Sequence, residues 1–257
     1  MSAMDKLFPY RKGTDGLELF AFPHVGAGSA SFNPLRAALR HQGVALCAAV
    51  FPGRERRLRE EPHRSMDSLL AEFADVAERD AYSAFRGEYA LLGHSAGALV
   101  ADQIARFLVG APCRSPRLLV VCSCSPPPRC LDTGISRLPT DELIARTAAM
   151  GGTPRALLAD DDFLEVMARP LRADWLIYDG YRYHPAPGLP VPILAVRGTR
   201  DASVPADELG LWQDQTSAIF LTAELDCGHW VLEERSAELA REISAALSVI
   251  RRSEPAA

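Results

Sequence analysis

The chain has no apolar run long enough to span a bilayer, and its start, MSAMDKLFPYRKGTDG, has no long apolar core behind a basic head. A membrane-inserted or exported protein is therefore not indicated, and a cytoplasmic one is expected. Basic excess is missing too: the formal net charge is -5, which gives no global pull toward nucleic acid or an anionic membrane. Neither is expected as a partner. The cysteines at 47, 113, 122, 124, 130 and 227 form no C-x-x-C pair of the metal-binding kind, so no metal site is expected and they read as buried thiols. Internal repeats and low-complexity tracts are likewise absent. What remains is a globular chain of 257 residues, 48% hydrophobic and 24% charged, expected to fold as one domain, 1–257, and to act as a monomer.

Apolar runs of strand length recur at 17–23, 44–51, 89–95, 117–125, 192–198 and 218–225. Helix-period segments lie between several of them, such as 66–85 and ALVADQIARFL. Continuous apolar strands alternating with amphipathic helices predict an α/β fold whose mostly parallel central sheet is covered by helices on both faces. The alternation breaks over about 127–187, where proline-bracketed helical segments replace strands. In one of them Thr140 is a candidate N-cap and GGTP, 151–154, a terminator; in the next, Phe163, Met167, Trp175 and Tyr178 stand at mixed helical spacing, as core or as the lining of a channel. An insertion there predicts a helical lid over the carboxyl edge of the sheet.

The stretch ALLGHSAGALV contains G-x-S-x-G, from Gly93 to Gly97, where a strand-like run gives way to a helix-like one. That pattern sets Ser95 on a sharp turn as a candidate nucleophile, which needs a base and a group to orient that base. Only His184 and His229 follow it. His229, after Gly228 and the last strand-like run, is the better placed base; His184 sits in a proline-rich connector. Asp201, in the loop after PILAVRG, is the candidate acid, ahead of Asp207 in the next helix and of Asp226, too near His229 in sequence to reach it easily. The oxyanion of a tetrahedral intermediate needs donors, for which the candidates are the backbone N–H groups of Ala96 and of Val25, in the Gly-rich loop HVGAGSASF. No lysine follows that loop in the P-loop pattern, so a phosphate cradle is not indicated.

These segments together, with FPGRERRLREEP, LPTDELI, GGTP, LRAD, RGTRD and CGHWVL, resemble the external (type II) thioesterases that accompany polyketide and nonribosomal peptide synthases, over about 17–247. The resemblance implies an α/β-hydrolase fold with a helical lid. It implies a serine thioesterase acting in trans on acyl-phosphopantetheinyl carrier proteins, clearing stalled or wrong acyl groups through an acyl-serine intermediate. Ser95, Asp201 and His229 would be the triad and Val25 and Ala96 the oxyanion hole; no cofactor of the protein's own is called for. Family members commonly carry methionine and a third glycine where this chain has Ala96 and Ala27. Release or transfer of a finished product is an alternative activity, and a non-catalytic carrier-binding module a third reading. Arg54, Arg56, Arg57, Arg59 and Arg64 lie in one segment, as a docking surface for an acidic carrier or as arginines neutralised by Glu55, Glu60 and Glu61.

Overall fold

The computed structural model describes residues 3–11, 16–151 and 160–253 of the chain. Six parallel strands form one sheet: β1 (Leu17–Phe22), β2 (Val44–Ala48), β3 (Tyr89–His94), β4 (Leu119–Cys122), β5 (Ile193–Gly198) and β6 (Phe220–Leu225), in the order β2-β1-β3-β4-β5-β6. The helices are α1 (Met4–Leu7), α2 (Asn33–Leu39), α3 (Met66–Arg79), α4 (Ala96–Val109), α5 (Thr140–Ala149), α6 (Asp161–Gly180), α7 (Ala206–Leu209), α8 (Val231–Glu234) and α9 (Ser236–Ser253).

Successive residues of a strand point to opposite faces, and both faces here are covered. In β1, Phe20 and Phe22 pack in the layer with Phe73 of α3 and Ile104 of α4, while Leu19 and Ala21 pack with Leu35 of α2 and Ile243 of α9. β3, β4 and β5 divide the same way. The edge strand β6 alternates buried and exposed positions near its end, because less of it is covered. Each helix buries one stripe: Leu239, Ala240, Ile243, Ala246, Leu247 and Ile250 of α9 recur every three or four residues. Ser65 caps α3, its side chain accepting the Ser68 N–H. Among the described residues, no helix is long and apolar enough to cross a membrane.

The sheet order reverses at β1, from which the chain goes first to β2 and later to β3 on the other side. A crevice opens outside the carboxyl ends of β1 and β3 at such a point. Between β4 and β5 the described chain contains α5 and α6 and no strand, and these helices cover that edge. Asp160 caps α6 by accepting the Phe163 N–H at 3.0 Å. Thr140 does not cap α5: Pro139 holds that position, and the Thr140 hydroxyl accepts from Arg172 at 3.0 Å. The lid helices thus brace each other side by side. Of GGTP, Gly151 follows α5 with φ +90°, and 152–154 lie outside the described residues.

Candidate active site

β3 ends at His94 and α4 begins at Ala96, leaving Ser95 alone to make the turn with φ 54° and ψ -127°. A non-glycine residue there is strained, and the neighbours hold it: the Ser95 N–H donates to the Cys122 carbonyl at 2.8 Å. The flanking glycines are required by closeness. A β-carbon on Gly93 would stand 2.1 Å from the Gly97 carbonyl oxygen, and one on Gly97 would stand 2.2 Å from that of Phe22. The helix is packed directly onto the strand ends, so the serine side chain has nowhere to go but outward, into the crevice.

Asp201 follows β5 and is 5% exposed. Its Oδ2 lies 2.8 Å from His229 Nδ1, and its Oδ1 accepts from the Ser203 N–H at 2.9 Å and the Ser203 hydroxyl at 2.6 Å. A carboxylate only accepts, so Nδ1 of His229 carries a proton, and in the neutral ring that leaves the lone pair on Nε2. Burial pushes the Asp201 carboxyl up, but the His229 and Ser203 hydrogen bonds outweigh it and hold the group below the usual aspartate range. Ser203 Oγ also lies 2.9 Å from His229 Nδ1, a contact that sequence reasoning missed.

Ser95, Asp201 and His229 line one cavity. Ser95 Oγ makes no hydrogen bond to a described residue. The other candidates lie elsewhere: His184 is exposed on the connector after α6, Asp207 is exposed on α7, and Asp226 is exposed and paired with Arg200.

In the loop after β1, Gly26 N–H donates to Asp174 Oδ2 at 2.8 Å and Ala27 N–H to the His24 carbonyl at 3.1 Å. The Val25 N–H has no acceptor among the described residues. Ala96, the first residue of α4, precedes every intrahelical acceptor, so its N–H is also available. Two buried histidines complete the surroundings. His94 Nε2 lies 2.9 Å from the His229 carbonyl oxygen, and the two Nδ1 atoms of His94 and His24 are 3.2 Å apart. Burial, with His229 and Arg54 nearby, pushes His24 down to about 3; burial and the two neighbouring histidines take His94 well below its ordinary value. Both are neutral in the fold. Ser123, just after β4, is buried with φ 50° and lines the same cavity, and its hydroxyl has no partner among the described residues.

The cavity holds about 1030 Å³ and extends under the lid between Val25, Ile144, Phe163, Met167, Leu171, Trp175 and Tyr178. Trp175 and Leu171 pack with Ile135 and Leu143 in a small cluster of their own, so one helix face serves as core and wall together. The arginine segment does not form a single outward surface. Arg54 and Arg57 are 4% and 3% exposed; Arg54 pairs with Asp174, and Arg57 with Glu60 and Glu72. Arg56 stacks over Tyr10 with 5.3 Å to the ring centroid, while Arg59 and Arg64 are exposed. Alternating burial along an irregular loop has no sequence period, which is why the five read alike.

Residues 17–247 match the family model of the thioesterase domain. The chain is 31% identical over 235 residues to thioesterase PikA5 of Streptomyces venezuelae, covering 91% of this chain and 82% of that one. Among solved structures it is similar to the RedJ thioesterase from the prodiginine biosynthetic pathway of Streptomyces coelicolor, with TM-score 0.78 and 28% identity over 90% of this chain and 86% of that one. It is also similar to BorB, a type II thioesterase from the borrelidin biosynthetic cluster, with TM-score 0.79 and 29% identity over 90% of this chain and 93% of that one. These neighbours have the α/β-hydrolase fold, with the parallel sheet and flanking helices described above. The chain belongs to the thioesterase family and is a hydrolase acting on thioesters.

Proposed function

We propose that the protein is a serine thioesterase that works in trans on acyl groups carried by the phosphopantetheine arm of carrier proteins. The observation that carries the reading is the Asp201–His229 hydrogen bond of 2.8 Å at the edge of the cavity that Ser95 enters from its strained turn. The biosynthetic setting is supported by the relatives: BorB belongs to the borrelidin cluster, RedJ to the prodiginine pathway, and a relative from Aneurinibacillus migulanus, 26% identical, is a gramicidin S biosynthesis protein.

The chemistry follows from the parts. His229 Nε2 takes the Ser95 proton as Oγ attacks the thioester carbonyl carbon; Asp201 holds the ring in the tautomer that makes this possible and stabilises the imidazolium. The carbonyl oxygen, now negative, accepts from the Val25 and Ala96 N–H groups. Collapse breaks the carbon–sulfur bond, and the imidazolium returns its proton to the departing pantetheine thiolate. Water, deprotonated by the same nitrogen, attacks the acyl-serine; the carboxylic acid leaves and Ser95 recovers its proton. No metal or redox cofactor enters this scheme. The thioester is already activated, so binding energy is needed chiefly for placement.

The leading reading is removal of stalled or wrong acyl groups. Release of one finished chain is the second, and the size of the cavity favours it on one count: about 1030 Å³ exceeds what a two- or three-carbon acyl group fills. A panel of acyl groups from short to long, loaded on a phosphopantetheinylated carrier protein and on a small thiol, decides between them with Ser95→Ala as control. Hydrolysis of several short groups, faster from the carrier and lost in the variant, supports clearance. One strongly preferred long chain supports release. Carrier binding without turnover in either protein would leave only a binding module.

A further inference from the structure

Three segments far apart in the chain meet on the loop after β1. Asp174, in the middle of lid helix α6, accepts the Gly26 N–H at 2.8 Å and two nitrogens of Arg54 at 2.6 and 2.9 Å. Arg54, from the segment after β2, uses the same Nη1 to donate to the Ala27 carbonyl at 2.7 Å. Its neighbour Glu55 accepts from the Ser29 N–H at 2.6 Å and the Ser29 hydroxyl at 2.8 Å. A β-carbon on Gly28 would stand 2.1 Å from that Glu55 carboxylate, so the loop lies directly against its holders. Backbone groups of Gly26, Ala27 and Ser29 are thereby fixed by side chains from outside the loop.

The consequence falls on Val25. Its N–H shares a planar trans peptide with the His24 carbonyl, which is turned toward the loop's own Ala27 N–H and accepts from it at 3.1 Å. The N–H must then point the opposite way. The Gly26 N–H, the next amide of the loop, is already spent on Asp174. We infer that Arg54 and Asp174 are positioning residues for the oxyanion hole: they hold the loop so that Val25 offers its N–H, and they make the middle of α6 a fixed wall of the site. This rests on the serine mechanism proposed above. The pair is 5% and 12% exposed at its side chains, and the bidentate geometry is one that lysine cannot reproduce.

The test uses Asp174→Asn, which keeps shape, and Arg54→Lys, which keeps charge, each with a melting temperature to show that it is folded. Two affinities are measured beside kcat and KM: that of an alkylboronic acid, whose tetrahedral adduct on Ser95 requires the oxyanion donors, and that of an unreactive acyl-pantetheine amide, which fills the channel only. Positioning predicts a kcat lower by about 10–100-fold with KM within about twofold, a matching loss of boronate affinity, and unchanged amide affinity. A merely structural pair would lower the melting temperature and leave boronate affinity and kcat of the folded enzyme near wild type in both variants; that result overturns the inference. If instead turnover survives Ser95→Ala, the serine mechanism itself fails, whatever the Asp174 and Arg54 variants do.

Discussion

His94, the residue just before the proposed nucleophile, donates from Nε2 to the carbonyl oxygen of His229, the proposed base, at 2.9 Å. The carbonyl can only accept, so the Nε2 of His94 bears its proton, and its Nδ1 accepts from His24 Nδ1 at 3.2 Å. A chain of two neutral rings therefore ties the loop after β1 and the turn after β3 to the backbone that presents the base. Replacing His94 by phenylalanine leaves a buried carbonyl and a buried ring nitrogen unpaired. We expect a loss of about 1–3 kcal/mol in urea unfolding and a lower kcat. An unchanged kcat at reduced stability would limit His94 to a structural role.

The same two rings make stability depend on pH with a definite sign. Their pKa values in the fold lie below the ordinary value, His24 at about 3 and His94 well below its usual range, so between that region and about 6.5 the unfolded chain binds more protons than the folded one. Their contribution is complete above about 6.5 and is lost as pH falls below it, down to about 3 for His24, at up to about 1.4 kcal/mol per pH unit for each ring. Chemical unfolding at a series of pH values should therefore show stability rising from pH 4 to 6.5, less steeply in a folded His24→Asn variant. A flat profile would contradict burial of neutral rings.

Ser203 is expected to help keep the acid ionised and in place. Removing its hydroxyl in Ser203→Ala costs Asp201 one of the hydrogen bonds that hold its pKa down, while the His229 bond of 2.8 Å remains. A decrease in kcat of a few-fold is expected, against about 10³–10⁴-fold for Asp201→Asn, which reverses the tautomer preference at Nδ1. Steady-state kinetics of the two variants side by side checks the ranking.

The strands were legible because a sheet buried on both faces writes each strand as an unbroken apolar run. The ends were less so: the run through Phe51 stops being strand at Ala48, where Val50 N–H turns to the Leu7 carbonyl. Ser95 was legible because the two glycines beside it are demanded by backbone contact, a local cause with a local signature. Arg54 was not. Its partner, Asp174, is 120 residues away, and nothing near Arg54 distinguishes it from Arg56 or Arg59 on the exposed side of the same loop. Ser203 and the His24–His94 contact escaped for the same reason: a hydrogen bond closed by the fold leaves no period or spacing in the chain.

Trp230, next to His229, donates from Nε1 to the Met150 carbonyl at 2.9 Å, just past the end of α5. The lid is thus fastened at its α5 end by one indole and along α6 by the Asp174 network. Trp230→Phe removes the donor and keeps most of the ring. We expect KM for medium-length acyl thioesters to rise more than for acetyl thioesters, because only the longer chains reach the wall that α5 supplies. Equal effects at every length would argue against a lid role for this contact.

In the proposed mechanism Ser95 attacks a thioester carbonyl and becomes acylated. The most direct measurement of that step is intact and peptide mass spectrometry of the enzyme quenched early in turnover of an acyl-carrier thioester, run with Ser95→Ala beside it. An added acyl mass is expected on the peptide that contains Ser95, appearing before free acid accumulates, with neither adduct nor turnover in the variant beyond about 10⁻³ of wild type. Turnover that persists in Ser95→Ala, or an adduct on another residue, would contradict that mechanism.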